Sequence, residues 1–252
     1  MARYVPHPSW RTDPLVLSAV FILFASAVFL AFPAIDIAVS RYFYDPAQGG
    51  FYLAKSEALI VLRRSSGIFI VGICAAVIVS LIGKLARPEL PSLIPPRASI
   101  LFVSTLALGP GLVVNLVFKN NWGRPRPGQV ELFGGTAPYV DVWRISEYCA
   151  RNCSFVSGEG SSALWLMTVV LLAPARWRAP LGVLVGLYAL ALSVNRIAFG
   201  GHFLSDVLLS WGMTALIIAV VYRLLYVDNP PGLTDEKLDA GLARAGRALR
   251  RR

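Results

Sequence analysis

The residues best suited to chemistry lie in one short stretch, Asn195-Arg-Ile-Ala-Phe-Gly-Gly-His-Phe-Leu-Ser-Asp206. It holds Arg196, His202 and Asp206, with Gly200 and Gly201 just ahead of the histidine. On a helix, a four-residue spacing stacks His202 and Asp206 on one face, so that the carboxylate can reach the imidazole. A carboxylate that accepts one ring N–H fixes the tautomer and leaves the other nitrogen free to act as base or nucleophile. Arg196 can clamp an anion through two parallel hydrogen bonds. A structural His–Asp pair beside a solvated arginine is the competing reading, of equal weight when this stretch is taken alone. The strongly apolar segments on either side tip the balance towards a built site.

Two further clusters carry chemistry. Lys119-Asn-Asn-Trp-Gly-Arg124-Pro-Arg126-Pro127 places three cations at the end of an apolar run. Charges there are costly unless an anion such as phosphate meets them, a lipid-headgroup anchor being the alternative. Ser154-Phe-Val-Ser157-Gly158-Glu159-Gly160 opens the next apolar run. Ser157 and Gly158 at a helix start would present free N–H groups and the positive end of the helix dipole to a phosphate. An ordinary serine cap is the alternative there. Cys149 and Cys153 flank Ala-Arg-Asn, a spacing that permits a disulfide if the loop meets an oxidising compartment. With no second ligand pair nearby, it is a poor zinc signal.

The elements that must position these groups follow from composition. The chain has 252 residues, is 56% hydrophobic and only 15% charged, and has a mean hydropathy of +0.62. Soluble domains carry about 25% charged residues, so this is a membrane composition. The formal net charge of +10 does not point to nucleic acid, because no basic patch is interleaved with aromatics. Basic loops beside apolar spans report topology and anionic headgroups instead.

The expected fold class is all-α, a polytopic bundle of six transmembrane helices at about 15–32, 58–82, 98–118, 161–174, 181–198 and 203–226. The first run is long for a signal peptide and has no clear cleavage site, so it reads as a span. Residues 34–57 mix aromatics with charges and suit the membrane interface. Arg63 and Arg64 can snorkel to that interface or point into a site, and snorkelling is the expectation. Pro110 is expected to kink the third span. Residues 119–160 form the site loop, and 227–252 a basic cytoplasmic tail, giving a membrane domain over 1–226. Six spans place both termini on one side with Arg3, Arg11, Lys84, Arg87, Arg97, Arg176, Arg178 and the tail arginines. The positive-inside bias makes that side the cytoplasm and puts the site on the opposite face of the membrane.

The three clusters in order, Lys-x6-Arg-Pro, then Ser-Gly, then Arg-x5-His-x3-Asp, resemble the signature of the type 2 phosphatidic acid phosphatase superfamily of membrane lipid phosphatases. Together with the span layout the resemblance covers most of the chain. It implies a six-helix bundle with a metal-independent site on the outer face, needing no cofactor. Lys119, Arg126, Ser157, Gly158 and Arg196 are then the phosphate-binding groups, and His202 and Asp206 the catalytic ones. Arg124-Pro125 offers a second register, but only Arg126 has the family's spacing. The chain departs from the family pattern in two places. The usual Pro-Ser-Gly-His is Val156-Ser157-Gly158-Glu159 here, and the usual Ser-Arg is Asn195-Arg196. The missing histidine protonates the leaving group in the family. Glu159 can replace it only when protonated, against an ordinary pKa of ~4.3. A Ser-Gly-Glu version is similar to a branch that includes lipid A phosphatases of Gram-negative bacteria.

The expected reaction is hydrolysis of a lipid phosphate through a phosphohistidine on His202. Asp206 orients the ring and Glu159 serves as the candidate acid. The first expected substrate is lipid A, with undecaprenyl diphosphate or phosphatidylglycerophosphate as alternatives. A lipid phosphotransferase and a non-catalytic phospholipid-binding or transport protein are the other classes. The partners are the lipid phosphate and the surrounding lipids, and the oligomeric state is left open.

Overall fold

The computed structural model describes residues 13–251, and these form helices joined by turns, with no β-strand among them. Arg3, Arg11 and Arg252, used above to orient the chain, lie outside the described residues. Helix α1 spans Pro14–Ala31, capped by the Asp13 carboxylate accepting from Leu15 N–H. The short α2 follows at Ala34–Tyr42, and α3 runs over Glu57–Ala86. Helix α4 covers Pro96–Asn121. The fourth apolar segment, α5 at Gly158–Leu172, is shorter. Then come α6 at Ala175–Ala198, α7 at Leu204–Val227 and α8 at Asp235–Leu249. Five of these (α1, α3, α4, α6 and α7) are long and apolar enough to cross a membrane.

The outer surfaces of α3 and α6 are bare hydrocarbon, as at Ile68, Val71, Val79, Val183 and Leu187. Water would not tolerate so continuous an apolar surface, whereas lipid does. Of the most apolar stretch of each helix, 61% is buried in α7 but only 17% in α1 and α3, so α7 is the central post. Close approach to it depends on small residues, a rule of packing in lipid. A Cβ on Gly212 would come 2.6 Å from Ile22 of α1, and one on Gly160 would come 2.9 Å from the Ser210 hydroxyl. The Ser161 and Thr214 hydroxyls bond across α5 and α7 at 2.7 Å.

Helix α4 does not kink at Pro110 in the simple way expected. Its backbone widens into a π-helical stretch over Ala107–Phe118. Proline removes one N–H from the ladder, and within the widened stretch the Asn115 side chain donates to the Pro110 carbonyl at 2.7 Å. The result sets Lys119 at the helix end. Helix α5 is in two pieces, Gly158–Trp165 and Met167–Leu172. The Thr168 hydroxyl takes the Trp165 carbonyl at the break, and the Trp165 indole N–H is held by Thr105 of α4.

The residues beyond α7 are not a loose tail. Helix α8 is amphipathic and docks on the ends of α3 and α4. Lys84 meets Asp239 at 2.5 Å, Ser92 donates to the same carboxylate, and Arg97 N–H donates to Asp235. Asp13, at the start of α1, pairs with Arg223 at 3.3 Å at this same end. The chemistry-bearing residues gather at the opposite end.

Candidate active site

The site is assembled from four helix ends and the segments that join them. Lys119 closes α4, Gly158 and Glu159 open α5, and Arg196 lies in the last turn of α6. Asp206 is in the first turn of α7, and His202 sits two residues before that helix begins. The tight connection between α6 and α7 requires Gly200, whose φ of +62° is left-handed and whose position against the Phe51 ring leaves no room for a Cβ. Gly201 lies flat against the Arg196 guanidinium, where a Cβ would come 2.3 Å from it. The two glycines therefore set the distance between arginine and histidine.

His202 is wholly buried, and its Nδ1 is 2.7 Å from the Ser154 carbonyl. A carbonyl only accepts, so Nδ1 carries the proton and Nε2 holds the lone pair. Asp206 is not the group that sets this tautomer. Because His202 precedes the helix instead of lying on it, the Asp206 carboxylate stays 4.0 Å from Nδ1. It acts through the loop. Its Oδ2 accepts from the Ser154 hydroxyl at 2.5 Å and from Phe203 N–H at 2.9 Å. Asp206 thus positions the loop residue whose carbonyl holds the ring. Ser154 stood in the sequence only as part of a serine-rich stretch, and its partnership crosses 48 residues that no local spacing reveals.

Nε2 is buried, and among the described residues it has no hydrogen-bond partner. Facing it are Glu159 Oε2 at 3.6 Å and, around that carboxylate, the Arg196 and Arg63 Nε atoms, each 3.3 Å from Oε1. Lys119 is buried and packs its amine against Gly158, where a Cβ would come 3.0 Å from Nζ. Ser157 caps α5, accepting from Gly160 N–H at 3.2 Å. The expected cation set thus meets Ser157, Gly158, Glu159 and His202 in one place. Arg63 joins them, which corrects the expectation that it snorkels away. It lies about two turns into α3 and points into the site across 96 residues of sequence.

Arg124 and Arg126 divide their work. Arg124 is fully buried beneath the site, donating to Asp206 at 2.6 Å, to Asp36 of α2 at 2.9 Å and to the Val140 carbonyl at 2.9 Å. Burial opposes its charge, but the Asp206 and Asp36 carboxylates outweigh this and strengthen its hold on its proton. It ties α2, the loop and α7 together and has no free donor for a substrate. Arg126 lines a cavity of about 400 Å³ beside Arg63, Arg64 and Arg196, and rests on the Asn152 carbonyl at 2.7 Å. Burial, and the neighbouring Arg63 charge after it, draw the Arg126 guanidinium below its ordinary pKa, against the pull of Glu159. Cys149 and Cys153 are disulfide-bonded in the turn that carries Asn152. Aromatic packing of Phe118, Trp122, Trp143 and Phe155 fixes the loop on the end of α4.

Burial pushes the His202 imidazole down to about 4, with the Arg196 and Lys119 charges acting in the same direction and Glu159 opposing them. The ring is therefore neutral at physiological pH, and its lone pair faces a pocket rich in cations. Such a pocket suits a tetrahedral dianion delivered from the membrane. The fold and site define a membrane-embedded phosphatase, a phosphoric monoester hydrolase. Residues 98–230 match the PAP2 superfamily, and the chain belongs to it. Curated relatives cover most of the chain. The "Lipid A 4'-phosphatase" of Francisella tularensis subsp. novicida (strain U112) is 35% identical over 214 residues, 84% of this chain and 96% of that protein. The proteins of the same name from Rhizobium leguminosarum and Rhizobium etli are each 34% identical, over 79% of this chain and 90% and 82% of their own lengths. No solved structure matches the chain.

Proposed function

We propose that the chain removes a phosphate monoester from lipid A at the outer face of a bacterial inner membrane. The observation that carries the mechanism is the buried, unpartnered Nε2 of His202, with its tautomer held from behind by Ser154. In this reading Nε2 attacks phosphorus as the bond to the sugar oxygen breaks. Lys119, Arg126 and Arg196 balance the equatorial oxygens, helped by N–H groups near Ser157 and Gly158. Water then attacks the phosphohistidine, the P–N bond breaks and inorganic phosphate leaves. Asp206 supports the charged ring from 4.0 Å.

Glu159 is the proposed proton donor to the leaving oxygen. At rest it is flanked by Arg63 and Arg196, an arrangement that favours the carboxylate. A phosphate entering among those cations takes over their charge and repels the carboxylate, which raises its affinity for a proton. The same resting arrangement favours a second reading, a lipid diphosphate, whose leaving group departs with less protonic help.

We further propose six crossings, counting the broken α5. It runs from Gly158 at the site to Leu172, which packs against Leu101 and Val221 at the far end. Its 15 residues measure about 22 Å at ~1.5 Å per residue, short of the ~30 Å hydrocarbon core, so its site end lies below the headgroups. The termini are then cytoplasmic and the site periplasmic.

The test is inorganic phosphate release by detergent-purified protein from lipid A, phosphatidic acid, phosphatidylglycerophosphate and undecaprenyl diphosphate, with His202→Ala beside it. Release from lipid A that disappears in the variant is the expected result. Release from another lipid alone moves the substrate, and release that survives in the variant removes His202 as nucleophile.

A further inference from the structure

The reacting phosphate leaves positive charge in this site unanswered. Lys119, Arg126 and Arg196 suffice for one phosphate, yet the cavity beside them is also lined by Arg63 and Arg64 of α3. Both lie outside the three motifs. The cavity holds about 400 Å³, its other walls include Ile60 and Phe199, and no carboxylate lines it. Among the described residues, these arginines have one ion-pairing carboxylate, Glu159, which lies 3.3 Å from both Arg63 and Arg196 and leaves Arg64 and Arg126 without an ion pair. Four guanidinium groups around one cavity repel each other unless an anion joins them. The cavity meets the reaction site at Arg126 and Arg196 and reaches α3 at Ile60, Arg63 and Arg64.

We propose that Arg63 and Arg64 form a second anion subsite, which receives a second negatively charged group of the same substrate molecule, a phosphate or a carboxylate lying next to the reacting phosphate. The proposal rests on the reading that this site binds a lipid phosphate, and it narrows the substrate class to lipids with two neighbouring anionic groups. It also assigns α3 a function: its second turn is a specificity wall. A bilayer headgroup could offer the same phosphate chemistry to these arginines, so the test must separate the two sources.

The probes are methylphosphonate and methylenediphosphonate, titrated calorimetrically into full-length protein in a neutral detergent. Binding is measured in wild type and in His202→Ala, so that turnover is not needed. A half-exposed ion pair changes affinity about two- to fivefold, so two of them should favour the diphosphonate about tenfold. Arg64→Gln and, separately, Arg63→Gln should each reduce that preference to about threefold. A wild-type preference under twofold overturns the proposal, as does a preference that survives in both variants. A third outcome also overturns it in favour of a headgroup anchor: the preference is unchanged, but Arg64→Gln abolishes a dependence of activity on phosphatidylglycerol in nanodiscs. If the protein releases phosphate from no lipid while the preference holds and falls in the variants, the hydrolase reading fails and the subsite stands.

Discussion

Replacing Asp206 by Asn tests how the nucleophile is held. In this structure the tautomer of His202 is set by the Ser154 carbonyl at 2.7 Å, while the Asp206 carboxylate stands 4.0 Å from the ring. Attack on phosphorus makes the ring cationic. At 4.0 Å and an effective dielectric of ~20, a carboxylate stabilises that charge by ~4 kcal/mol. Arg124, 2.6 Å from the other Asp206 oxygen, offsets part of this. Taking half as the remainder leaves ~2 kcal/mol, or about 30-fold in kcat. The tautomer survives in Asp206→Asn, so the ~10⁴-fold loss found where the orienting carboxylate itself holds the ring is not expected. Stability should fall by about 3 kcal/mol, because buried Arg124 keeps only Asp36 as a charged partner. The assay is phosphate release by the monodisperse fraction from size exclusion, with thermal unfolding measured alongside. A ~10⁴-fold loss of kcat in well-folded protein would refute the reasoning and make Asp206 the direct orienter. A loss under about threefold would refute the electrostatic half.

The pH profile should place the acid limb of kcat/KM near 4, not near the ordinary histidine value. Burial pushes His202 down to about 4, and the neutral ring is present above that pH and lost below it. A limb at 6.5 would show that the histidine is solvated in the working enzyme. Glu159→Gln should slow hydrolysis of a monoester strongly and of a diphosphate weakly, and equal losses on both would remove Glu159 as the proton donor. Gly158→Ala should fold but push the Lys119 amine aside, since the new Cβ meets Nζ at 3.0 Å, lowering kcat/KM about tenfold; unchanged kinetics would take Lys119 out of phosphate binding. For topology, exposed Leu132 in the site loop is the position for a reporter cysteine. An impermeant thiol reagent should label Leu132→Cys in intact spheroplasts, and labelling only after lysis would place the site in the cytoplasm.

The apolar runs and three motifs were legible because each is a local property. Hydropathy over about 20 residues reports a helix that lipid can surround, and a motif brings its own spacing. That is how Lys119, Arg126, Ser157, Gly158, Glu159, Arg196 and His202 could be named together before their geometry was known. The linear pattern was misleading where a local rule assumed the wrong backbone. The i,i+4 argument for His202 and Asp206 needs both on a helix, but α7 begins at Leu204, and the ring turns instead to Ser154. Arg124 and Arg126 are two residues apart and alike in type, yet one is buried between Asp36 and Asp206 while the other lines the cavity. Composition cannot tell them apart, because the difference lies in which carboxylates the folded loop brings to each. Arg63 likewise read as a snorkelling residue, since its partner Glu159 is 96 residues away. The sequence by itself determined a helical membrane protein and the chemical groups at its site. Only the tertiary structure decided how those groups are wired, because contacts across 48 to 96 residues depend on how the site loop and helix ends pack, and no periodicity encodes that.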